Sequence, residues 1–422
     1  MISRRMERPI HLVQLVHGYP PAIGGVEVST RDLCERLVRE HGFDVTVLTT
    51  NAYTVRNFSD PRLPTLPIRD DETQNGVRVR RFPVVTHWYP LLRVAQAAAW
   101  RLHIPGNGTL RTWLDGPISP RMLAALRTTP ADVVCAASFP LNHMHYPFRL
   151  GSDGPPVVLV PAIHTNNPWG YERPNLLRLV NRAYATVAHT MHEREWLLAR
   201  GADPSRVRVI GHGLDPGELE PNPGAFRSAY GIEPEAFLVA YVGQQGGHKG
   251  IDTLIAVLPL LLERCPSAWL AIGGARTPYS AELRRLASAL SPPASGRIIF
   301  ADDLTTQAKA DLLGDSDVFA SPSQAESFGI TTLEAWSLAK PVVVGDSPSQ
   351  HEIVRNGVTG LLVEHGNQGQ LLDALVRLAL SPDLRSEVGR RGFERLLRDF
   401  QRSATERQYA ELLREAALSR RS

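Results

Sequence analysis

Short apolar runs recur along the chain, separated by stretches in which apolar and polar residues alternate with a helical period. In the first half the runs cover residues 10–16, 44–48, 77–82, 132–135 and 157–163. They are too short for helices and too continuous for half-exposed strands, so they suit parallel strands covered on both faces. The segment 26–40 has a helical pattern and lies between the first two runs, giving the β-α-β rhythm of a doubly wound sheet. The rhythm restarts at 237–242 and continues through 268–272, 297–300, 318–321 and 341–344, with helices predicted over 252–262 and 331–339. Between the two series lies GHGLDPGELEPNP, rich in Gly and Pro, which reads as an interdomain linker. Within the first half, Thr190 followed by Glu193 predicts a capped helix over 191–199, stopped by Gly201. Three further helical patterns, 370–380, 382–400 and 402–418, close the chain.

A length of 422 residues fits two domains better than one core. The expected organisation is an N-terminal Rossmann-like domain over 1–213, a C-terminal one over 214–398, and a last helix over 399–422 packing back towards the first. With 43% hydrophobic and 21% charged residues the composition is that of a folded globular protein. A net charge of +3 is too small to argue for nucleic acid. Cys34, Cys135 and Cys265 are odd in number and far apart, which indicates neither a disulfide framework nor a zinc site. The segment 10–16 contains His11 and Gln14, unlike a signal peptide, and no run approaches the ~18 apolar residues of a membrane span. The expected location is cytoplasmic, or peripheral on the inner face of the cell membrane.

Candidate chemistry concentrates in AESFGITTLEAWSLAKPVVV, residues 325–344. Glu326 falls in the loop leaving a predicted strand, and Glu334 falls about one turn into the next helix. Ligands of open parallel sheets bind at such carboxyl ends. The amides near Gly329, Ile330 and Thr331 begin a helix, where unpaired N–H groups suit a phosphate. A sugar nucleotide fits this division, with acids accepting from hydroxyls and amides facing phosphates. The simpler alternative is two surface glutamates, one offsetting a helix dipole. A second loop, VGQQGGHKG, follows the first strand of the second half and carries Lys249, one of only three lysines with Lys309 and Lys340. In the first half, PPAIGGVEVS places Gly24 and Gly25 between strand and helix, which a tight turn explains as well as an anion does. His164 follows the run 157–163 and reads either as a structural residue or as a contact to a ligand hydroxyl. Asp315-Ser316-Asp317 has the spacing of a metal-binding DxD, but it immediately precedes a buried run. No GxSxG, HExxH or GxGxxG is present, which disfavours hydrolase, metalloprotease and NAD-binding readings.

Taken together, PPAIGGVE, HTMHEREWLLARGADPSRVRVIGHGLDP, VGQQGGHKGIDTLI, SPSQAESFGITTLEAWSLAKPVVV and HEIVRNGVTGLLV resemble the retaining glycosyltransferases of family 4. The resemblance covers about residues 10–398 and is strongest in the second half. It implies a GT-B fold, two Rossmann-like α/β domains facing a central cleft, and transfer of a sugar from a nucleoside diphosphate sugar with retention at the anomeric carbon. It further implies that Glu334 holds the ribose and that Glu326, with the Phe328-Gly329 backbone, approaches the sugar and phosphates. Lys249 would hold the diphosphate, Gly24 and Gly25 would line the same pocket, and His164 would touch the donor sugar. His164, Glu326 and Lys249 are thus the expected catalytic groups. Gly24, Gly25, Gln244, Lys249, Phe328, Gly329, Ile330, Thr331 and Glu334 are the expected donor-binding groups. No metal and no cofactor are expected, the donor being a UDP-, GDP- or similar sugar.

Two positions depart from the family pattern. Gln244 stands where members usually carry arginine, and His212-Gly213 stands where Asn-Gly is usual. The loss of a cation at 244 keeps two other readings open: a GT-B nucleotide-sugar epimerase, and a weakly active donor-binding partner subunit. The acceptor is not legible and is expected to be a glycan, a lipid-linked molecule or a small-molecule glycoside. Residues 88–127, with Trp88, Tyr89, Arg93, Trp100, Arg101, Arg111, Trp113, Arg121 and Arg127, read as an ordinary solvated surface or as an amphipathic lip for such an acceptor.

Overall fold

The structure, a computed structural model, describes residues 8–22, 24–69, 72–104 and 106–420; the arginines at positions 4 and 5 and Ile23 of the PPAIGG turn lie outside the described residues. The chain divides into two compact units, Met1–Ile210 with Glu406–Ser422, and Gly211–Thr405.

In the first unit the strands are β1 His11–Leu15, β2 Asp44–Thr50, β3 Glu72–Gln74, β4 Val77–Phe82, β5 Val133–Ala137, β6 Val157–Val160, β7 Ala185–Ala188 and β8 Val207–Val209. They form one sheet in the order β3-β4-β2-β1-β5-β6-β7-β8, parallel except for β3 against β4. Every residue of β5 and β7 is buried, as the continuous apolar runs require. Alternate residues serve opposite faces: Val134 and Ala136 enter one core cluster, Val133 and Cys135 the other. The second cluster also takes Tyr409, Ala410, Leu413, Ala416 and Ala417 from the helix Arg402–Ser419, a stripe at helical spacing.

Two details differ from the sequence expectation. The hairpin β3-β4 turns at Asn75-Gly76, both with positive φ (46° and 86°), a turn whose strand β3 is too short to show a pattern. The run 157–163 is a strand only to Val160, because Pro161 lacks an N–H and Ala162 adopts φ 53°. His164 therefore sits in a loop beyond the strand.

In the second unit, β9 Leu238–Val242, β10 Trp269–Gly274, β11 Ile298–Asp302, β12 Val318–Ser321, β13 Val342–Gly345 and β14 Leu361–Val363 form a parallel sheet ordered β11-β10-β9-β12-β13-β14. Val239, Tyr241 and Ile272 pack into one core cluster, while Leu238, Ala240, Ala271 and Phe319 pack into the other. This order sets β9 beside β12. The loops leaving their carboxyl ends, which carry VGQQGGHKG and AESFG, therefore meet although they are far apart in sequence.

Candidate functional site

The contact between these loops is built from backbone carbonyls. Gln324 N donates to His248 O at 2.9 Å, and Ser323 Oγ donates to His248 O at 3.3 Å. Gly250, with φ 69°, begins the helix Ile251–Arg264; a Cβ there would stand 2.4 Å from Pro322 O, so the close approach needs glycine. Gly329, with φ 96°, plays the same part before the helix Ile330–Ser337, where a Cβ would meet Gln350 Nε2 at 2.6 Å. Neither helix has a side-chain cap at its first turn. Two N-termini with uncapped N–H groups thus sit at neighbouring strand ends, a setting that favours an anion.

Two ion pairs line the same strand ends. Lys249 Nζ donates to Glu326 Oε1 at 2.6 Å, and Lys309 Nζ donates to Glu334 Oε1. Glu334 is buried, at 9% exposure, so its carboxylate is held largely out of water beside the Lys309 ammonium. Each pair leaves a carboxylate with a second oxygen and an ammonium with further donors, able to accept from hydroxyls and to donate to phosphate oxygens. Below the loops, Gln350 Nε2 donates to Phe328 O at 2.7 Å and Ser349 Oγ donates to Glu326 O at 2.6 Å, fixing the Glu326–Gly329 backbone. The Phe328 side chain is buried against His212, 5.1 Å between ring centres, so only its backbone faces outward chemistry. Ile330 and Thr331 open the helix and are half-buried.

In the other loop, Gln244 is exposed and its side-chain amide has no partner among the described residues. Its carbonyl accepts from Tyr241 Oη at 2.8 Å. Burial, with the Glu326 charge adding to it, pushes the Tyr241 phenol well above its usual range, which keeps it protonated as that donor. Gln245 is fully buried, with Nε2 on Asp302 Oδ1 at 2.9 Å and its carbonyl accepting from Thr277 Oγ1 at 2.6 Å. Lys309, Ser349, Gln350 and Gln245 were not singled out from sequence. The scarcity of lysine was a signal for Lys309, whereas nothing in local pattern marks the other three.

In the first unit, Gly24 precedes the helix Gly25–His41, whose first turn has no side-chain cap. A Cβ on Gly24 would lie 2.2 Å from Glu27 Oε2, so the glycine makes room for this buried acid. Glu27 Oε1 is 3.1 Å from His17 Nε2. Burial raises the Glu27 carboxyl, and the His17 charge and hydrogen bond more than reverse this, leaving it below its usual value. The loop after β6 is held by Glu193, whose Oε1 accepts from Ile163 N at 2.9 Å and Oε2 from His189 N at 2.7 Å. This acid, seen in the sequence only as half of a capping box, therefore holds the segment that carries His164. The His164 ring packs 5.9 Å from that of Tyr171.

The DxD spacing has a structural explanation. Asp315 accepts from the amides of Gly224, Phe226 and Arg227 at 2.7–3.1 Å, and Asp317 from Leu238 N and Arg227 Nη2 at 2.8 and 2.9 Å. Leu238 starts β9, so these acids lie at the opposite edge of the sheet from the loops above. Among the described residues Glu40, His41 and Glu406 also bring ligand atoms within 4.8 Å, but Arg39 and Arg36 already pair with the two glutamates.

Residues 24–213 match the model of the glycosyl transferase 4-like domain, and residues 224–395 match that of glycosyl transferases group 1. The chain belongs to the family-4, group 1 glycosyltransferases. Among its relatives, a D-inositol 3-phosphate glycosyltransferase of Actinosynnema mirum is 34% identical over 50% of this chain and 52% of its own. An α-maltose-1-phosphate synthase of Mycobacterium tuberculosis is 27% identical over 66% of this chain and 80% of its own. The chain spans about half the length of the first curated relatives it matches. The sucrose-phosphate synthase of Thermosynechococcus elongatus superposes with a TM-score of 0.73 at 19% identity, over 97% of this chain and 100% of that one. An Anabaena protein solved with UDP and glucose superposes with a TM-score of 0.71 at 18% identity, over 96% of this chain and 100% of that one. At such identities the superpositions establish the fold, which is GT-B, for this family-4 chain. No helix among the described residues is long and apolar enough to cross a membrane.

Proposed function

We propose that the second unit binds a nucleoside diphosphate sugar and that the protein transfers its sugar to a still unidentified acceptor, with retention at the anomeric carbon and without a metal ion. The observation that carries this reading is the meeting of two uncapped helix N-termini and two Lys–Glu pairs at the carboxyl ends of β9 and β12. Glu334 accepts hydrogen bonds from the ribose through the oxygen not engaged by Lys309. The amides of Gly329, Ile330 and Thr331, with Lys249, neutralise the diphosphate; Glu326 holds that lysine in place and faces the sugar. Gly24, Gly25 and His164 in the first unit are assigned to the sugar end of the donor by family resemblance. As the bond to the leaving phosphate breaks, charge grows on the diphosphate, where preorganised donors stabilise it most. The departing phosphate takes the acceptor proton on the same face of the sugar, which accounts for retention. The neighbour solved with UDP and glucose agrees with such a donor.

The test is a mass-spectrometric screen of the purified full chain against UDP-, GDP- and ADP-sugars, with and without a panel of acceptors. Release of nucleoside diphosphate with a glycosylated product supports the reading. An altered sugar nucleotide formed without acceptor would replace it with the epimerase, and binding without turnover of any donor would replace it with the partner subunit.

A further inference from the structure

Away from these loops, the helical layer of the first unit encloses a cavity of about 270 Å³ between the helix Asn107–Asp115, the turns Asn142–His145 and Pro147–Arg149, and the helix Pro174–Arg182. Its wall carries Arg149, Arg178 and Arg182 together with His145, Asn142 and Asn175. None of the three arginines has a carboxylate partner among the described residues. The nearby acids are already engaged, Asp115 by Arg173 at 2.5 Å and Glu172 by Arg200 at 3.3 Å. Arg149 and Arg182 rest on the rings of Tyr146 and Phe148, and Arg178 has no contact of this kind among the described residues.

Positive charge alone would suit any anion. The amides narrow the choice. Asn142 is 3% exposed, and its Nδ2 donates to Pro117 O at 3.0 Å, while Asn175 Nδ2 donates to Thr112 Oγ1 at 2.9 Å and Gly108 O at 3.4 Å. Because both nitrogens face carbonyls, the amide orientations are fixed. Both Oδ1 atoms, and His145 Nε2, are buried without a partner among the described residues. An amide oxygen cannot bind a phosphate oxygen and requires a donor such as a hydroxyl. Leaving such atoms unmet is costly, so a ligand that supplies hydroxyls is favoured. Burial, helped by Arg149, Arg173 and Arg178, lowers the His145 imidazole to about 4, so at neutral pH it is an uncharged partner for a hydroxyl or a phosphate.

We propose that this cavity is a second binding site that takes a phosphorylated polyol, the arginines holding the phosphate and Asn142, Asn175 and His145 meeting the hydroxyls. Arginine forks match phosphate geometry, and none of these side chains must leave an existing ion pair to bind it. The ligand can be a free sugar phosphate or the headgroup of a lipid. The helix Tyr89–Arg101 packs against the cavity-lining helix Asn107–Asp115; on it and at its ends Trp88, Leu91, Val94, Trp100 and Leu102 are exposed, and residues 73–114 contain no Asp or Glu, which suits the second source.

The experiment is calorimetric titration of the full chain with glucose 6-phosphate, glucose and inorganic phosphate, beside co-sedimentation with vesicles of phosphatidylcholine with and without phosphatidylinositol. Expected is saturable binding of glucose 6-phosphate tighter than either fragment, or of phosphatidylinositol vesicles alone; the first assigns a soluble ligand and the second a lipid. In either case R149A/R178A, at two exposed positions, should weaken binding at least tenfold while leaving UDP or GDP titration unchanged. Asn175→Ala should cost several-fold for the polyol phosphate and nothing for inorganic phosphate. Binding of no probe, equal binding of glucose 6-phosphate and inorganic phosphate, or indifference to both variants overturns the proposal. None of these outcomes bears on the donor site in the second unit.

Discussion

Replacing Lys309 with methionine keeps the side-chain length and removes the cation that faces Glu334. The pair is intermediate in exposure, with the lysine side chain 25% and the glutamate side chain 11% accessible. Fully buried pairs cost ~3–5 kcal/mol when broken from one side, and exposed pairs about 0–1 kcal/mol. A loss of about 2 kcal/mol in folding stability is therefore expected for Lys309→Met. The effect on ligand is separable. Glu334 without its partner has lost the cation that fixes its carboxylate, and it stops presenting an aligned acceptor to a ribose. Losing one or two hydrogen bonds to a charged group costs about 1.5–3 kcal/mol, roughly ten- to a hundredfold in dissociation constant. The assay is calorimetric titration with UDP and GDP on protein whose far-ultraviolet dichroism matches the unsubstituted chain, together with a urea melt. Lys309→Arg should recover most of the affinity. If Lys309→Met binds within twofold of the unsubstituted protein, or if its effect simply adds to that of Glu334→Gln, the two residues do not act as a unit and the reasoning fails.

Sugar transfer should persist in EDTA, because Asp315 and Asp317 spend their oxygens on backbone amides and Arg227; complete loss restored by Mn2+ would contradict this. Gln244→Arg adds a charged fork at an exposed loop position and should tighten donor binding by up to about tenfold, whereas a raised Michaelis constant with lowered turnover would mean that the loop is built around its own amides. Stability should fall with acid. Burial lowers His143 to about 3 and His189 to about 4, with His17 adding to the first, so the unfolded chain takes up their protons from about pH 6.5 downward and the folded chain does not. Their contribution is complete above pH 7 and lost as pH falls towards 4, on the order of 2 kcal/mol each by pH 5, and a urea midpoint unchanged between pH 7.5 and pH 5 would refute it.

The parallel strands were legible because burial on both faces leaves continuous apolar runs, and the glutamates were legible because they flank a glycine at a strand exit. What local pattern could not show is what non-adjacent strands bring together. Lys309 sits on the helix Thr306–Asp315, and nothing near it in sequence says that it faces Glu334. Ser349 and Gln350 act through carbonyls on another loop, and hydrogen bonds to backbone leave no residue pattern. Glu193 satisfied a helix-start motif and also holds Ile163 N, a role that its spacing from Thr190 conceals. Strands β3, β8 and β14 have three residues each, fewer than a periodicity needs to be read.

The most direct test of the central claim is calorimetric titration of Glu334→Ala beside the unsubstituted chain, with UDP and with GDP. Because ribose contacts form in the resting complex as well as during transfer, the substitution should weaken binding of the preferred nucleotide at least tenfold. Equal affinity of the two proteins for a nucleotide that the unsubstituted chain binds would contradict the assignment of these strand ends as the donor site.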